Sequence, residues 1–126
     1  MRNSLSIFAG AILAAAPVLA HHSFAAEYDS NAPVTIKGTV TKVEWTNPHS
    51  YVYVDVKDGS GNVVTWAVEG YPPNTLRRTG FTRDLMKQGD TVTINGWKAR
   101  DGVSRMAARD VTFANGNKMY FGPSAQ

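Results

Sequence analysis

Alternating apolar and polar residues in the first half of the chain constrain its fold more than any other feature. Val34, Ile36 and Val40 alternate with polar residues, which is typical of a strand with one buried face. Val43 and Trp45 continue the apolar face one residue out of step, and this slip predicts a bulge within a long first strand. The pattern therefore predicts a β-rich protein.

The same alternation recurs between turn signals along the rest of the chain. Residues 58–62 have the composition of a hairpin turn, and Pro72-Pro73 ends the next strand because proline cannot donate to a β-ladder. A short edge strand is expected at residues 118–121. The residues predicted to face inward are Val52, Val54 and Val56; Val64, Trp66 and Val68; Val92 and Ile94 within 91–98; and Val111 and Phe113 within 106–113.

Short helices are predicted between the third and fourth strands. Residues 74–78 form one helical turn that stops at Gly80, and residues 82–88 form a second, capped by Thr82 and ended by Gly89. Three strands, a helical connection and two strands are the order of an all-β, five-stranded OB-like barrel, and a glycine within the first strand suits its closure. An open β-sandwich of similar strand count is the competing architecture.

Residues 1–20 have the features of a signal peptide. Arg2 provides a positive charge, residues 5–16 are almost all apolar, and Val18-Leu19-Ala20 places small residues where a signal peptidase reads. The apolar run is short for a membrane span of about 20 residues, although an uncleaved anchor is the alternative. Cleavage after Ala20 would export the protein to the periplasm or the medium, with no membrane span left and His21 as the new N-terminus.

This cut divides the chain into four predicted parts. They are the signal peptide (1–20), an N-terminal segment with candidate metal ligands (21–33), the OB-like barrel (34–121) and a C-terminal tail (122–126). The chain has no cysteine, which excludes disulfides, thiolate metal sites and thiol nucleophiles. The formal net charge is +3 with interspersed signs, which argues against nucleic acid as the partner.

The three histidines of the protein suggest a metal site. His21 and His22 would open the mature chain, and His49 lies in a proline turn. A terminal histidine can chelate through its α-amino nitrogen and Nδ1, and both groups lose their protons near neutral pH. His49 could supply the third nitrogen of such a site. Alternatively, the site could use the amine with the His22 amide and the His22 imidazole, without His49. Either nitrogen-rich set favours Cu(II), and zinc is the weaker candidate. Glu27 or Asp29 could complete either set.

Ordinary structural roles are the alternative for these histidines. A polar residue is tolerated on a tail next to a cut site, and His49 can cap a carbonyl within its turn. The histidine spacing matches no full metal signature of the H-E-x-x-H kind.

A metal-free interaction module is the second hypothesis. OB barrels bind polymers by stacking rings along one face, and five aromatic residues could form such a platform: Trp45, Tyr51, Tyr53, Trp66 and Trp97. The partner would be an oligosaccharide, a peptide or a periplasmic protein. The alternative is that Trp66 is a core residue and that Tyr51 and Tyr53 are ordinary cross-strand neighbours. Arg77 and Arg78 could grip a carboxylate or phosphate, although such a pair is more often a solvated helix end.

An enzyme is the third hypothesis and the least supported. No Ser-His-Asp order, glycine-rich phosphate loop or obvious carboxylate pair is present. A copper site with a terminal histidine could perform oxidative chemistry as in the polysaccharide monooxygenases, but those enzymes present a broad substrate surface on a larger sandwich. The sequence therefore favours a binding protein over an enzyme.

The chain also resembles a family of small exported bacterial proteins that is known only as a domain of unknown function. The resemblance is carried by four stretches: HHSFAAEYD, GTVTKVEWTNPH, LRRTGFTRD and GDTVTINGWKARDG. The matching positions are His21, His22, Trp45, Asn47, Pro48, His49, Arg77, Arg78 and Gly89. The resemblance implies one exported β-domain, and it assigns no activity, substrate or cofactor to any of these residues.

Overall fold

The computed structural model describes residues 24–123, and most of them lie in strands. The elements are β1 (Tyr28–Glu44), β2 (Tyr51–Lys57), β3 (Val63–Glu69), α1 (Pro73–Arg78), a 3-10 turn (Arg83–Leu85), β4 (Thr91–Ala99), β5 (Arg105–Phe113) and β6 (Lys118–Tyr120). Residues 24–27, here called the N-terminal arm, are helical and lead directly into β1. No helix within residues 24–123 is long and apolar enough to cross a membrane.

All the strands belong to one sheet that returns on itself. The order is β3-β2-β1-β4-β5-β6, and β3 also pairs with β5, so that the first five strands form a ring. The β3–β5 pairing is parallel, whereas the others are antiparallel. The predicted mostly-β fold is therefore confirmed. The sheet has six strands rather than five, because the edge expected at 118–121 forms β6 against β5.

Strand β1 carries the predicted bulge and is longer than expected. Its register against β2 shifts between Val40 and Lys42, at the position of the sequence slip. It begins at Tyr28 rather than at the predicted boundary of 34, so residues 28–33 belong to the sheet. Their pairing with β4 is irregular between Tyr28 and Pro33, and this irregularity explains why no simple alternation marks these residues in the sequence.

The hydrophobic core lies inside the ring. It contains Ile36, Val40, Val52, Val54, Val68, Leu76, Phe81, Met86, Val92, Ile94, Met106, Ala108, Val111 and Phe121. Most of the residues predicted to face inward are in this set. Val56, Trp66 and Phe113 are half-buried and pack against it, and Val64 is half-buried.

The connection between β3 and β4 is less helical than predicted. The helix α1 begins at Pro73, where a missing N–H costs nothing, and Leu76 is buried beneath it. The second predicted helix, 82–88, is only the 3-10 turn, and Thr82 makes no side-chain cap. Directly after this segment the chain pairs with β1, because Gly89 N donates to Val40 O at 2.8 Å and Asp90 O accepts from Val40 N.

A second, smaller apolar cluster lies outside the ring. Tyr28, Ala99 and Ala107 are buried there, with Phe24 of the N-terminal arm packed against them. Ala107 lies between the inward-facing residues 106 and 108 of β5, so it faces outward. Arg100 ties the arm to β4, because its Nε donates to Ala25 O at 2.7 Å and its backbone N donates to the carbonyl of residue 27 at 2.9 Å.

Candidate metal centre

His49 lies in the loop between β1 and β2 with its ring held on one side. Its Nδ1 contacts Oε1 of Glu69, and 47% of the His49 side chain is exposed. The loop is tied to the end of β3, because Gly70 N donates to Ser50 O at 2.8 Å and Ser50 N donates to Tyr71 O at 3.3 Å. The fold therefore places one nitrogen of the His49 ring against the Glu69 carboxylate and leaves the ring partly exposed to solvent.

Glu69 is a buried acidic residue at the end of β3. Its residue is 9% exposed, and its second oxygen, Oε2, accepts a hydrogen bond from the hydroxyl of Tyr28. Burial raises the pKa of Tyr28, and the hydrogen bond to Glu69 and the charge of Glu69 raise it further. Tyr28 thus remains a donor at neutral pH, and the two oxygens of Glu69 are shared between Tyr28 and His49.

Tyr51 borders the same carboxylate. It lies directly opposite Glu69 in the β2–β3 pairing. Burial raises the pKa of Tyr51, as do the charges of Glu69 and Glu27, whereas Arg105 opposes the shift. Arg105 also lies over the ring of Tyr28, with 5.5 Å from its guanidinium carbon to the ring centroid. This end of the ring therefore collects phenol, carboxylate, imidazole and guanidinium groups.

The N-terminal arm reaches this group through Phe24. The Phe24 ring lies 5.5 Å from the ring of Tyr28 and meets Trp97 edge-on at 5.7 Å. His21 and His22 lie outside the described residues. The contacts that can be followed thus run from Phe24 to Tyr28, from Tyr28 to Glu69, and from Glu69 to His49.

Glu27 and Asp29, the other two candidate ligands, differ in their surroundings. Glu27 is exposed on the arm, and its charge acts on Tyr51. Asp29 is engaged elsewhere, because its Oδ1 accepts from Asn31 N at 2.9 Å and lies 4.0 Å from Nη2 of Arg100. Within residues 24–123, no group of three His, Cys, Asp or Glu side chains is placed to hold a metal ion.

The profile of a family of unknown function (DUF6152) matches residues 10–108. The chain belongs to this family. The match spans β1 to β4 and includes His49, Glu69 and Tyr28, so the predicted membership of a family of unknown function is confirmed. No curated protein matches the chain.

The aromatic residues of this DUF6152 member differ in their exposure and packing. Trp97 is only 4% exposed, which corrects its assignment to a binding face. Trp45 stacks on Phe81 with 6.2 Å between the rings, and Trp66 packs against the core. Tyr51 and Tyr53 remain half-buried, because they alternate with the inward valines of β2.

Arg77 and Arg78 occupy the end of α1 and are both exposed. Nη2 of Arg77 donates to the side chain of Asn74 within the same helix. Cations at a helix C-terminus interact favourably with the helix dipole, which accounts for the pair without a ligand. Arg77 and Arg78 thus have the arrangement of a solvated helix end.

Sequence reasoning missed Glu69 and Tyr28. The available signal was Glu69, the only charged residue of the strand VVTWAVE, since a buried charge requires a partner. The partner could not be read from the sequence, because Tyr28 lies 41 positions away.

Proposed function

We propose that the protein is an exported copper-binding domain. The mature N-terminus at His21, with the His22 side chain or backbone, would supply one part of the site, and His49 the other. The observation that carries this proposal is the buried Glu69, which holds Nδ1 of His49 on one oxygen and the Tyr28 hydroxyl on the other. Zinc is the second candidate metal.

The Glu69–His49 contact suits a metal ligand. Histidines that bind metals commonly donate their other ring N–H to a carboxylate, which selects the tautomer and orients the ring. With Nδ1–H directed at Glu69, the lone pair of Nε2 is left for a metal. Tyr28 keeps Glu69 in place, since the raised pKa of Tyr28 preserves it as a donor. A histidine that only caps a turn would not need this buried support.

The N-terminal arm supports participation of the terminal histidines. Phe24 is anchored on Tyr28, and Tyr28 contacts Glu69. Consecutive Cα atoms are about 3.8 Å apart, so the anchored Phe24 limits how far the two residues before it can reach. A free amine, imidazole nitrogens and the absence of cysteine thiolates favour Cu(II) over other first-row ions.

We further propose that the ring of β1 to β5 is an OB-like barrel, with β6 as an added edge strand. The strand order, the parallel β3–β5 pairing and the bulged β1 support it. In OB folds the loop between the first two strands contributes to ligand binding, and His49 lies in the corresponding loop here. A periplasmic or secreted location, reached after cleavage at Ala20, is part of the same proposal.

Copper titration of the protein that begins at His21 tests this function. Native mass spectrometry should show one bound Cu(II), and competition titrations should give its affinity. Acetylating the α-amine of His21 removes the amine ligand from the chelate and should weaken binding strongly, as should His49→Ala. Affinity should also fall below about pH 6, where the imidazoles and the amine hold their protons. Lys57→Ala, an exposed change elsewhere, serves as the control and should bind copper normally.

Glu69→Gln provides a second arm of the same experiment. It keeps the shape of the side chain and removes the charge that orients His49, so copper affinity should fall by about 10- to 100-fold. Glu44→Gln is the matched control, because Glu44 also lies opposite Tyr51 but pairs with Lys42. If the protein acetylated at the His21 α-amine binds copper as tightly as the processed one, the terminal-histidine site is wrong. The metal-free module that binds through an aromatic face then becomes the better account.

A further inference from the structure

A buried carboxylate that takes no part in the proposed copper site lies on β5. Asp110 is 1% exposed, and its Oδ1 accepts from Nδ2 of Asn95 at 2.9 Å. Its Oδ2 accepts from Nε of Arg109 at 2.7 Å and lies 3.8 Å from Nζ of Lys118. Asp110 thus fixes the guanidinium of Arg109 through one nitrogen.

The charges around Asp110 do not balance. Two cations, Arg109 and Lys118, face one carboxylate, which leaves a surplus of positive charge. A guanidinium has five N–H donors, and only Nε–H of Arg109 has a hydrogen-bond partner within residues 24–123. Asn95 has a second amide N–H beyond the one given to Asp110. The unused donors are thus the planar Nη pair of Arg109 and one amide N–H.

Arg109 and Asn95, the residues that carry these donors, line a small cleft on the sheet. The cleft has a volume of about 170 Å³, with Arg109, Asn95 and Thr35 as its polar lining and Pro33, Val34 and Trp97 as its apolar lining. Sites for whole organic ligands occupy about 300–1,000 Å³. The cleft therefore accommodates an end group rather than a complete ligand of that size.

We propose that this Arg109 cleft binds the carboxylate of an organic ligand. A carboxylate has acceptors only, and its planar pair of oxygens matches the Nη pair of Arg109 in a bidentate hydrogen bond. Asp110 pre-orients Arg109 from behind, while the apolar wall takes the carbon that bears the carboxylate. A small organic acid and the C-terminus of a peptide share this chemistry. The proposal does not depend on the copper site.

NMR titration of the ¹⁵N-labelled protein with sodium acetate tests the proposal, with sodium chloride at equal ionic strength as the reference. Saturable shifts are expected at the Arg109 Nε–H, the Asn95 amide and the Trp97 indole. Arg109→Lys keeps the cation beside Asp110 but loses the planar fork, so acetate should bind at least about tenfold more weakly. Arg83→Gln, an exposed arginine elsewhere, should leave binding unchanged.

Three further arms use other probes. Trialanine and its C-terminal amide distinguish the two sources of the carboxylate. Tighter binding of trialanine than of acetate identifies a peptide C-terminus, and equal binding of the two identifies a small organic acid. Inorganic phosphate checks the ligand class. Shifts that sodium chloride reproduces, tighter binding of phosphate than of acetate, or equal acetate affinity in Arg109→Lys would each overturn the proposal. The wild-type titrations decide this even if Arg109→Lys does not fold.

Discussion

At the scale of single residues, Asp110 shows how a buried charge is tolerated. Burial raises its pKa, but hydrogen bonds from Asn95 and Arg109 and the charge of Lys118 outweigh that effect, so the pKa is lowered overall. The pKa of an aspartate in the unfolded chain is about 3.9. Since the folded-state pKa is below the unfolded value, the ionised carboxylate stabilises the fold. This stabilisation is complete above the unfolded pKa and is lost as the pH falls through the folded pKa.

Asp110→Asn should therefore change how stability depends on pH. At pH 7 the variant should lose about 2 kcal/mol of unfolding free energy, because charge-assisted hydrogen bonds are weakened. Below about pH 4 the wild type should approach the variant, since its own carboxylate becomes protonated. Urea unfolding between pH 7 and acid measures both curves. Asp84→Asn, an exposed control, should change little, and a wild-type advantage that grows in acid would contradict this assignment.

At the scale of elements, β1 shows how one strand serves two neighbours. It pairs with β2 through Thr39–Glu44 and with β4 through Tyr28 and residues 33–39. The bulge after Val40 lets the strand bend between these partners, as closure of a ring requires. Gly38 lies at the change of partner, and a Cβ there would overlap the backbone oxygen of Asp55. The glycine is thus required by a close approach of two strands.

Gly38→Ala should consequently be costly. The added methyl forces β1 and β2 apart, which should lower the unfolding free energy by about 1–3 kcal/mol or more. Gly59→Ala is the matched control, since a Cβ at Gly59 meets no atom within 4 Å. Urea unfolding of both variants measures the difference. Equal destabilisation would show that the close approach at Gly38 is relieved at little cost.

At the scale of the whole molecule, the N-terminal arm joins the outer cluster to the candidate metal centre. Phe24 contacts Tyr28 and Trp97, while Arg100 binds the arm backbone. This cluster is separate from the core, so a change at Phe24 removes no side chain of the core. The arm can therefore be tested for function with little effect on folding.

Phe24→Ala should weaken copper binding more than it weakens the fold. Loss of the ring pairs should lower the unfolding free energy by only about 1 kcal/mol. Copper affinity of the processed protein should fall by about tenfold, because binding must then order a loose arm. Leu85→Ala, an exposed apolar control in the 3-10 turn, should leave the affinity unchanged. Unchanged affinity in Phe24→Ala would mean that docking of the arm does not serve the site.

The strand pattern could be predicted from the sequence because its cause is local. Side chains alternate across a strand, so Val52 and Val54 identify the buried face of β2 without knowledge of its partners. The slip after Val40 likewise marked the bulge. The prediction was wrong where distant contacts mattered: the helix expected at 82–88 is only a 3-10 turn before the chain bonds to β1 at residues 89–90, and the Trp97 ring is packed against Phe24.

The candidate site divides in the same way. His49 stood out from the sequence as a chemically capable residue in a proline turn, and its residue type required no knowledge of the fold. The groups that support His49 could not be identified from the sequence, because Tyr28, His49 and Glu69 come from the start of β1, the following loop and the end of β3. Closure of the sheet brings these segments to one end of the ring. Only tertiary structure could decide that the buried carboxylate of Glu69 would lie between a tyrosine and a histidine, because the free energy of burying a charge depends on partners that are distant in sequence.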